Sequence, residues 1–282
     1  MASVSGHLLS GVSARPGSLE HPIYVERPGF SVALLPANPY EVAFVAGGHV
    51  VGFTLAPQVG VDAFGSDRRR PFCAEPWRLA FTPAGCDVFS ASERGGEYLA
   101  LVVDRDAFSR HRAARLERFT NVIEPAFTPL AFRLRRALLA RHRSDDVHVD
   151  ELGWAAIALT ARSLGATRSS SSSRLPPQRL RVVLDYLDTH LDRTVRLTDI
   201  ALEVSLSEAY LARAFKATTG TTIHTALMER RIARARFLMS QPIGRSPNLA
   251  AIAAESGFAS HAHMTTAFRR VLGVTPSQWR LR

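Results

Sequence analysis

The chain has 282 residues, 46% hydrophobic and 21% charged, which suits a soluble globular protein of roughly two domains. Its formal net charge of +10 favours an acidic partner, and two cysteines exclude a disulfide framework and accord with a reducing cytoplasm. No basic stretch followed by a long apolar core opens the chain, and prolines, Asn38, Glu41 and His49 break the apolar segment 30–57, which excludes a membrane span of about 20 residues there.

Residues 21–104 read as strands and turns. Trp77, Leu79 and Phe81 alternate with Arg78 and Ala80, and residues 97–103 end an apolar run at Asp104. Turn signals recur at Pro28-Gly29, Asn38-Pro39, Gly47-Gly48, Pro83 to Gly85 and Gly95-Gly96. Short strands with frequent turns predict an antiparallel sandwich or barrel. Cys73 and Cys86 are expected to be buried, inert thiols rather than a redox pair. Phe53, Phe64, Trp77 and Phe81 either line an effector cavity or fill the core.

Residues 105–166 read as helical. Leu130, Leu134, Ala137 and Leu138 share one face, with Arg133, Arg135, Arg136 and Arg141 largely elsewhere. Leu152, Ala155, Ala156, Leu159 and Ser163 form a second stripe. These stripes serve either their own domain or a seam between two copies. Residues 167–177, a serine run ending in two prolines, read as a linker that divides the chain into 1–166 and 178–282.

From 178 onward seven helical segments are expected: 178–192, 198–204, 208–218, 222–240, 248–256, 261–271 and 276–281. Thr198, Ser207 and Ser260 stand at N-cap positions, and Gly220 and Gly273 stand where helices end. Residues 175–282 hold 15 basic and 8 acidic side chains, against 20 and 17 in the longer part before them, so the positive excess is concentrated here. Lys216 is the sole lysine of the chain.

This region contains a repeat. Residues 200–220 align with 252–273: Ile200 with Ile252, Ala201 with Ala253, Glu203 with Glu255 and Leu206 with Phe258. After one extra residue, Leu211 aligns with Met264, Ala214 with Ala267, Phe215 with Phe268 and Lys216 with Arg269. Each copy is a short helix, a tight turn and a second helix, the plan of a helix-turn-helix. In 208–218 the stripe Leu211, Ala214, Phe215 and Thr218 faces inward, leaving Ala209, Ala212, Arg213 and Lys216 outward. In 261–271 the stripe is Met264, Ala267, Phe268 and Val271, leaving Ala262, Thr266, Arg269 and Arg270 outward, flanked by His263 and Thr265. Small residues near the start of each second helix let it sit deep in a major groove, and arginine suits guanine edges and phosphates. His261 and His263, two residues apart, point to nearly opposite sides of a helix, so no metal site is expected. The connector 222–240 spans about 28 Å, against about 34 Å between successive major grooves on one side of DNA. Its Arg230, Arg231, Arg234 and Arg236 either touch phosphates or pair with Glu229 and solvent.

Residues 178–282 resemble the DNA-binding domain of the AraC/XylS family of bacterial transcription regulators. The resemblance rests on 200–220, on Arg230 to Met239, and on the second motif with its Gly-Phe, Phe-Arg-Arg, Gly-Val-Thr-Pro and Trp-Arg elements. It implies base-facing roles for Ala209, Ala212 and Arg213 in the first recognition helix. In the second it implies the same for His261, Ala262, Thr265 and Thr266. With Ser207, Lys216, Ser260, His263, Arg269 and Arg270 these form the expected DNA-binding set. Two departures stand out. Ser205 occupies the place of a turn glycine, and Thr266 that of an arginine, which makes Arg213 the stronger specificity candidate.

The resemblance extends less specifically to 21–166, implying an antiparallel, cupin-like barrel followed by dimerising helices. The fold class is therefore α+β and multidomain, with two helix-turn-helix motifs joined by a long helix at the C-terminal end. Double-stranded DNA, a small-molecule effector, RNA polymerase and a second copy of the chain are the partners implied; a membrane is not. Metal cupins resemble a His-x-His pair with a glutamate and a later histidine. His49 is isolated, and Cys86 stands where a histidine would follow Pro-Ala-Gly. No metal, cofactor or catalytic residue is expected, although a cupin-type enzyme fused to a DNA-targeting module, a barrel that only dimerises, and a protein-binding adaptor remain alternatives.

Overall fold

In a computed structural model of the chain the described residues are 21–106, 108, 116–140, 146–165, 174–241 and 248–281. The expected linker lies outside them up to residue 173, as does the N-terminal segment 1–20. The chain divides into two compact units, Met1–Arg168 and Ser169–Arg282.

The first unit carries ten strands among the described residues. They are β1 Ile23–Arg27, β2 Phe30–Leu35, β3 Tyr40–Val45, β4 His49–Thr54, β5 Gln58–Phe64, β6 Arg70–Ala74, β7 Leu79–Thr82, β8 Asp87–Ser92, β9 Tyr98–Val103 and β10 Phe119–Val122. All pairings are antiparallel, in sheets ordered β1-β2-β9-β4-β7-β10 and β3-β8-β5-β6. The pairs β2–β9, β3–β8, β4–β7 and β5–β6 are nested, and successive pairs alternate between sheets. That is one long hairpin rolled on itself, the jelly-roll plan. The two sheets are separate ladders rather than one closed cylinder, so the sandwich form of the expectation is the one adopted.

Two helices follow, α1 Phe127–Ala140 and α2 Asp146–Gly165. They cover the outer face of the larger sheet. Phe53 stacks on Phe127 at 5.1 Å, and Phe30 meets Trp154 edge-on at 5.5 Å. Both faces of β2, β4 and β9 are thus covered, which explains why they read as near-continuous apolar runs. Residues 105, 106 and 108 are helical, and β10, which pairs with β7, separates them from the helices that begin at Phe127. Leu130, Leu134, Ala137 and Leu138 are buried within this unit. Arg135 departs from the expected polar face. It is buried at 2% exposure, and its Nη1 donates to Glu97 Oε2 at 3.1 Å. A buried cation requires such a partner, and apolar periodicity gives no sign of it.

The second unit is helical: α3 Pro177–Thr189, α4 Leu197–Glu203, α5 Glu208–Thr219, α6 Ile223–Met239, α7 Leu249–Glu255, α8 His261–Leu272 and α9 Pro276–Arg280. Every expected segment appears, with ends moved by up to three residues. Thr198 is not the N-cap of α4; Arg196 holds that position, and the Thr198 hydroxyl donates to Glu208 Oε1 at 2.9 Å. Leu272 rather than Val271 completes the buried stripe of α8, together with Met264, Ala267 and Phe268. Among the described residues no helix is long and apolar enough to cross a membrane.

Candidate nucleic-acid interface

The two repeats fold alike down to individual backbone bonds. At the end of α4, Leu206 N–H donates to Ala201 O at 2.9 Å and Ser205 N–H to Leu202 O at 3.1 Å. At the end of α7, Phe258 N–H donates to Ala253 O at 2.8 Å and Gly257 N–H to Ala254 O at 2.9 Å. Both turns pass through the left-handed region, at Ser205 (φ 53°) and Gly257 (φ 78°). Ser207 and Ser260 then cap α5 and α8, each hydroxyl accepting a backbone N–H, from Tyr210 at 3.3 Å and His263 at 3.1 Å. Both helices end on a glycine, Gly220 and Gly273, each with φ 76° and ψ 0°.

Gly257 has a requirement that Ser205 lacks. A Cβ at Gly257 would lie 1.7 Å from the Leu191 carbonyl oxygen. That oxygen also accepts Arg231 Nε at 3.0 Å, while Arg231 Nη2 donates to Arg193 O at 2.6 Å. Arg231 therefore staples the loop after α3 to the connector helix, beside Gly257.

The connector arginines divide by role. Arg230 pairs with Asp188 at 2.7 Å, and buried Arg236 lies over the Trp279 ring at 4.4 Å. Neither they nor Arg231 belong to an outward basic face, and only Arg234 of the four is exposed. Beyond the two expected roles, phosphate contact or pairing with Glu229 and solvent, Arg230, Arg231 and Arg236 take partners within the helical unit. Burying a stem and satisfying its head is how arginine packs on a helix that touches several neighbours.

Burial separates the two faces of each recognition helix. Leu211, Ala214, Phe215 and Thr218 of α5 are buried. Ser207, Ala209, Ala212, Arg213 and Lys216 are exposed, as are Ser260, His261, Ala262, His263, Thr266, Arg269 and Arg270; Thr265 is half-buried. Each fully buried Leu or Phe contributes about 1.5–3 kcal/mol, so these stripes fix the helices and leave the outward residues free to vary. The Thr266 hydroxyl donates to Ala262 O at 3.0 Å. His263 packs edge-on to Phe258 at 5.5 Å.

His224, in the first turn of α6, is a further member that the repeat does not reveal. It is exposed and lines a groove with Ala212, Arg213 and Lys216. Burial lowers its pKa, with Arg270, His263 and Arg231 adding to the effect. His224 thus stands within the field of both motifs. No periodicity marks it, because its position depends on how α6 packs between them.

In the first unit a cavity of about 380 Å³ lies between the two sheets. Phe64 lines it. Phe53, Trp77 and Phe81 do not line it. Alternation along β4 and β7 turns Phe53 and Phe81 outward, where Phe81 stacks on Phe119 at 5.9 Å, while Thr54, Ala80 and Thr82 face inward. Trp77 is buried in the core. Cys73 is exposed, on outermost strand β6, and Cys86 is half-buried; neither is the sealed thiol expected. His49 has both ring nitrogens engaged: Nδ1 accepts Ala84 N–H at 3.1 Å, leaving Nε2 to donate to Arg105 O at 3.2 Å. Burial depresses its pKa, so it serves the fold as a neutral ring.

A family model described as a helix-turn-helix domain matches residues 200–282. The curated HTH-type transcriptional activator RhaR of Escherichia coli (strain K12) is 32% identical over 114 residues, 39% of this chain. The chain spans 39% of the length of that relative. Among solved structures, the C-terminal domain of AraT, a response regulator from Geobacillus stearothermophilus, is 27% identical with a TM-score of 0.34, covering 38% of this chain and 86% of its own. An AraC-type DNA-binding-domain regulator from Chromobacterium violaceum is 28% identical with a TM-score of 0.34, covering 36% and 89%. The duplicated motif and the matched domain agree: residues 200–282 of this chain form a helix-turn-helix domain.

Proposed function

We propose that the chain is a sequence-specific DNA-binding transcription regulator whose N-terminal unit, residues 1–166, senses a small effector and pairs with a second copy. Residues 178–282 bind promoter DNA, and RNA polymerase is the downstream partner. One observation carries the reading: two motifs with matching turns, caps and buried stripes each present an exposed face of small and basic side chains. A solvated basic surface has no reason to be built twice on the same frame. Arg213, Ala209 and Ala212 on α5 read base edges, as do His261, Ala262, Thr265 and Thr266 on α8; Lys216, Arg269 and Arg270 hold phosphates. Helix α6, with 17 residues and a length of about 25 Å, supports entry into adjacent major grooves.

The open cavity favours an effector over a barrel that only dimerises. An effector acts by binding one arrangement of the protein better than another. The engagement of His49 weighs against a metal enzyme.

Arg270→Ala tests the interface. Binding to duplex DNA is expected to weaken for all sequences alike, with the slope of log K against log salt reduced by about 1. An unchanged slope would remove Arg270 from the phosphate contacts.

A further inference from the structure

The geometry points to a small organic monocarboxylate with an apolar body as the ligand of the cavity between the two sheets, its carboxylate held by Arg78. This deepens, and rests on, the reading of the N-terminal unit as a ligand-sensing domain.

Arg78 lines the cavity, and its Nε is buried with no hydrogen-bond partner among the described residues. Its backbone is held firmly. Arg78 N–H donates to Thr54 Oγ1 at 2.9 Å, Thr54 N–H to Arg78 O at 3.0 Å and Trp77 N–H to Thr54 O at 2.7 Å, while the Thr54 hydroxyl donates to Glu75 O at 2.6 Å. Trp77 is held at φ 61°, a costly conformation for a bulky residue. A strained, multiply tied segment thus carries a cation to the cavity wall. Among the described residues Glu75 is the one acidic group that acts on Arg78, with no hydrogen bond between their side chains. Burial works against the charge on Arg78, so an anion beside it is favoured.

The rest of the lining selects among anions. Leu35, Phe44, Val50, Phe64, Phe72 and Val88 supply apolar wall. Asp62 shares the cavity and repels a second negative charge; Arg118 and Arg70 act on it, which leaves Arg78 for the ligand. One planar guanidinium matches one carboxylate in a two-bond fork. A polyphosphate would require several cations and would meet Asp62. The volume of about 380 Å³ falls at the lower end of small-molecule sites, so the ligand is compact.

The test uses matched pairs: benzoate with benzamide, and hexanoate with hexanamide. Binding to the full-length chain is measured by titration calorimetry, with thermal shift in parallel. At least one acid is expected to bind about ten-fold or more tightly than its amide, the difference between a charge-assisted and a neutral hydrogen-bonded pair. Arg78→Gln abolishes that preference, and Arg78→Lys keeps part of it. Val88→Phe, which narrows the cavity from the other sheet, weakens acid and amide together. Equal binding of acid and amide to the natural chain would overturn the proposal, as would acids binding Arg78→Gln undiminished or neither member of any pair binding at all. The effector reading is scored separately, by DNA affinity with and without the bound acid. A carboxylate that binds through Arg78 without altering DNA affinity supports the site and contradicts the sensor. An amide that binds equally and alters DNA affinity does the reverse.

Discussion

Arg213 is the exposed cation in the second turn of α5, with Ala209 and Ala212 keeping the approach to it open. Its counterpart position on α8 is Thr266, whose hydroxyl is turned to its own helix, so the two motifs are expected to contribute unequally to selectivity. Arg213→Ala is expected to cost about 1–3 kcal/mol on the preferred site and to relax one base position. Unaltered selectivity in competition with variant sites would refute the assignment. His224 gives a pH signature. In the free protein burial and the neighbouring positive charges hold its pKa below the ordinary 6.5. A DNA phosphate favours the charged ring, so binding takes up a proton and tightens as the pH falls through the histidine range. His224→Gln should flatten that dependence when affinity is measured from pH 8 to pH 6. An identical pH slope in the variant would place the proton elsewhere.

At the level of elements, the turn residues are where the two motifs part. Ser205 and Gly257 share a left-handed conformation, yet only Gly257 faces a carbonyl at 1.7 Å from a notional Cβ. Gly257→Ala should therefore cost about 2 kcal/mol or more, whereas Ser205→Gly should be neutral or stabilising by up to about 1 kcal/mol. Thermal denaturation of the two variants checks this; equal and opposite effects would mean that φ alone decides. Much of the helical unit was legible because its repeat carries its own caps: Ser207 with Ser260, and Gly220 with Gly273, bracket the recognition helices in plain sequence. The structural arginines were not legible. Arg231 and Arg236 look like surface charge until the carbonyls and the ring that receive them are in place. Arg135 hid in the same way, since Glu97 lies far from it in sequence and only folding brings them together. The cavity wall shows a further limit. Period-two alternation in 77–81 correctly separated two faces, but which face meets the helices depends on α1 and α2. Phe53 went to α1, Phe81 to Phe108 and Phe119, and Arg78 and Ala80 to the cavity.

For the molecule as a whole, the proposal is that a ligand-sensing unit governs how a two-motif unit engages DNA. The positive excess lies in the second unit, so affinity should be strongly salt-dependent while selectivity follows the outward residues of α5 and α8. The most direct test is selection of random double-stranded DNA by the purified full-length chain, read by sequencing. Enrichment of two short, distinct boxes about one helical turn apart is the predicted result, because α6 joins two readers of different composition. Enrichment of a single box, or of charge-driven binding without sequence preference at any salt concentration, would contradict two-groove reading by the paired motifs.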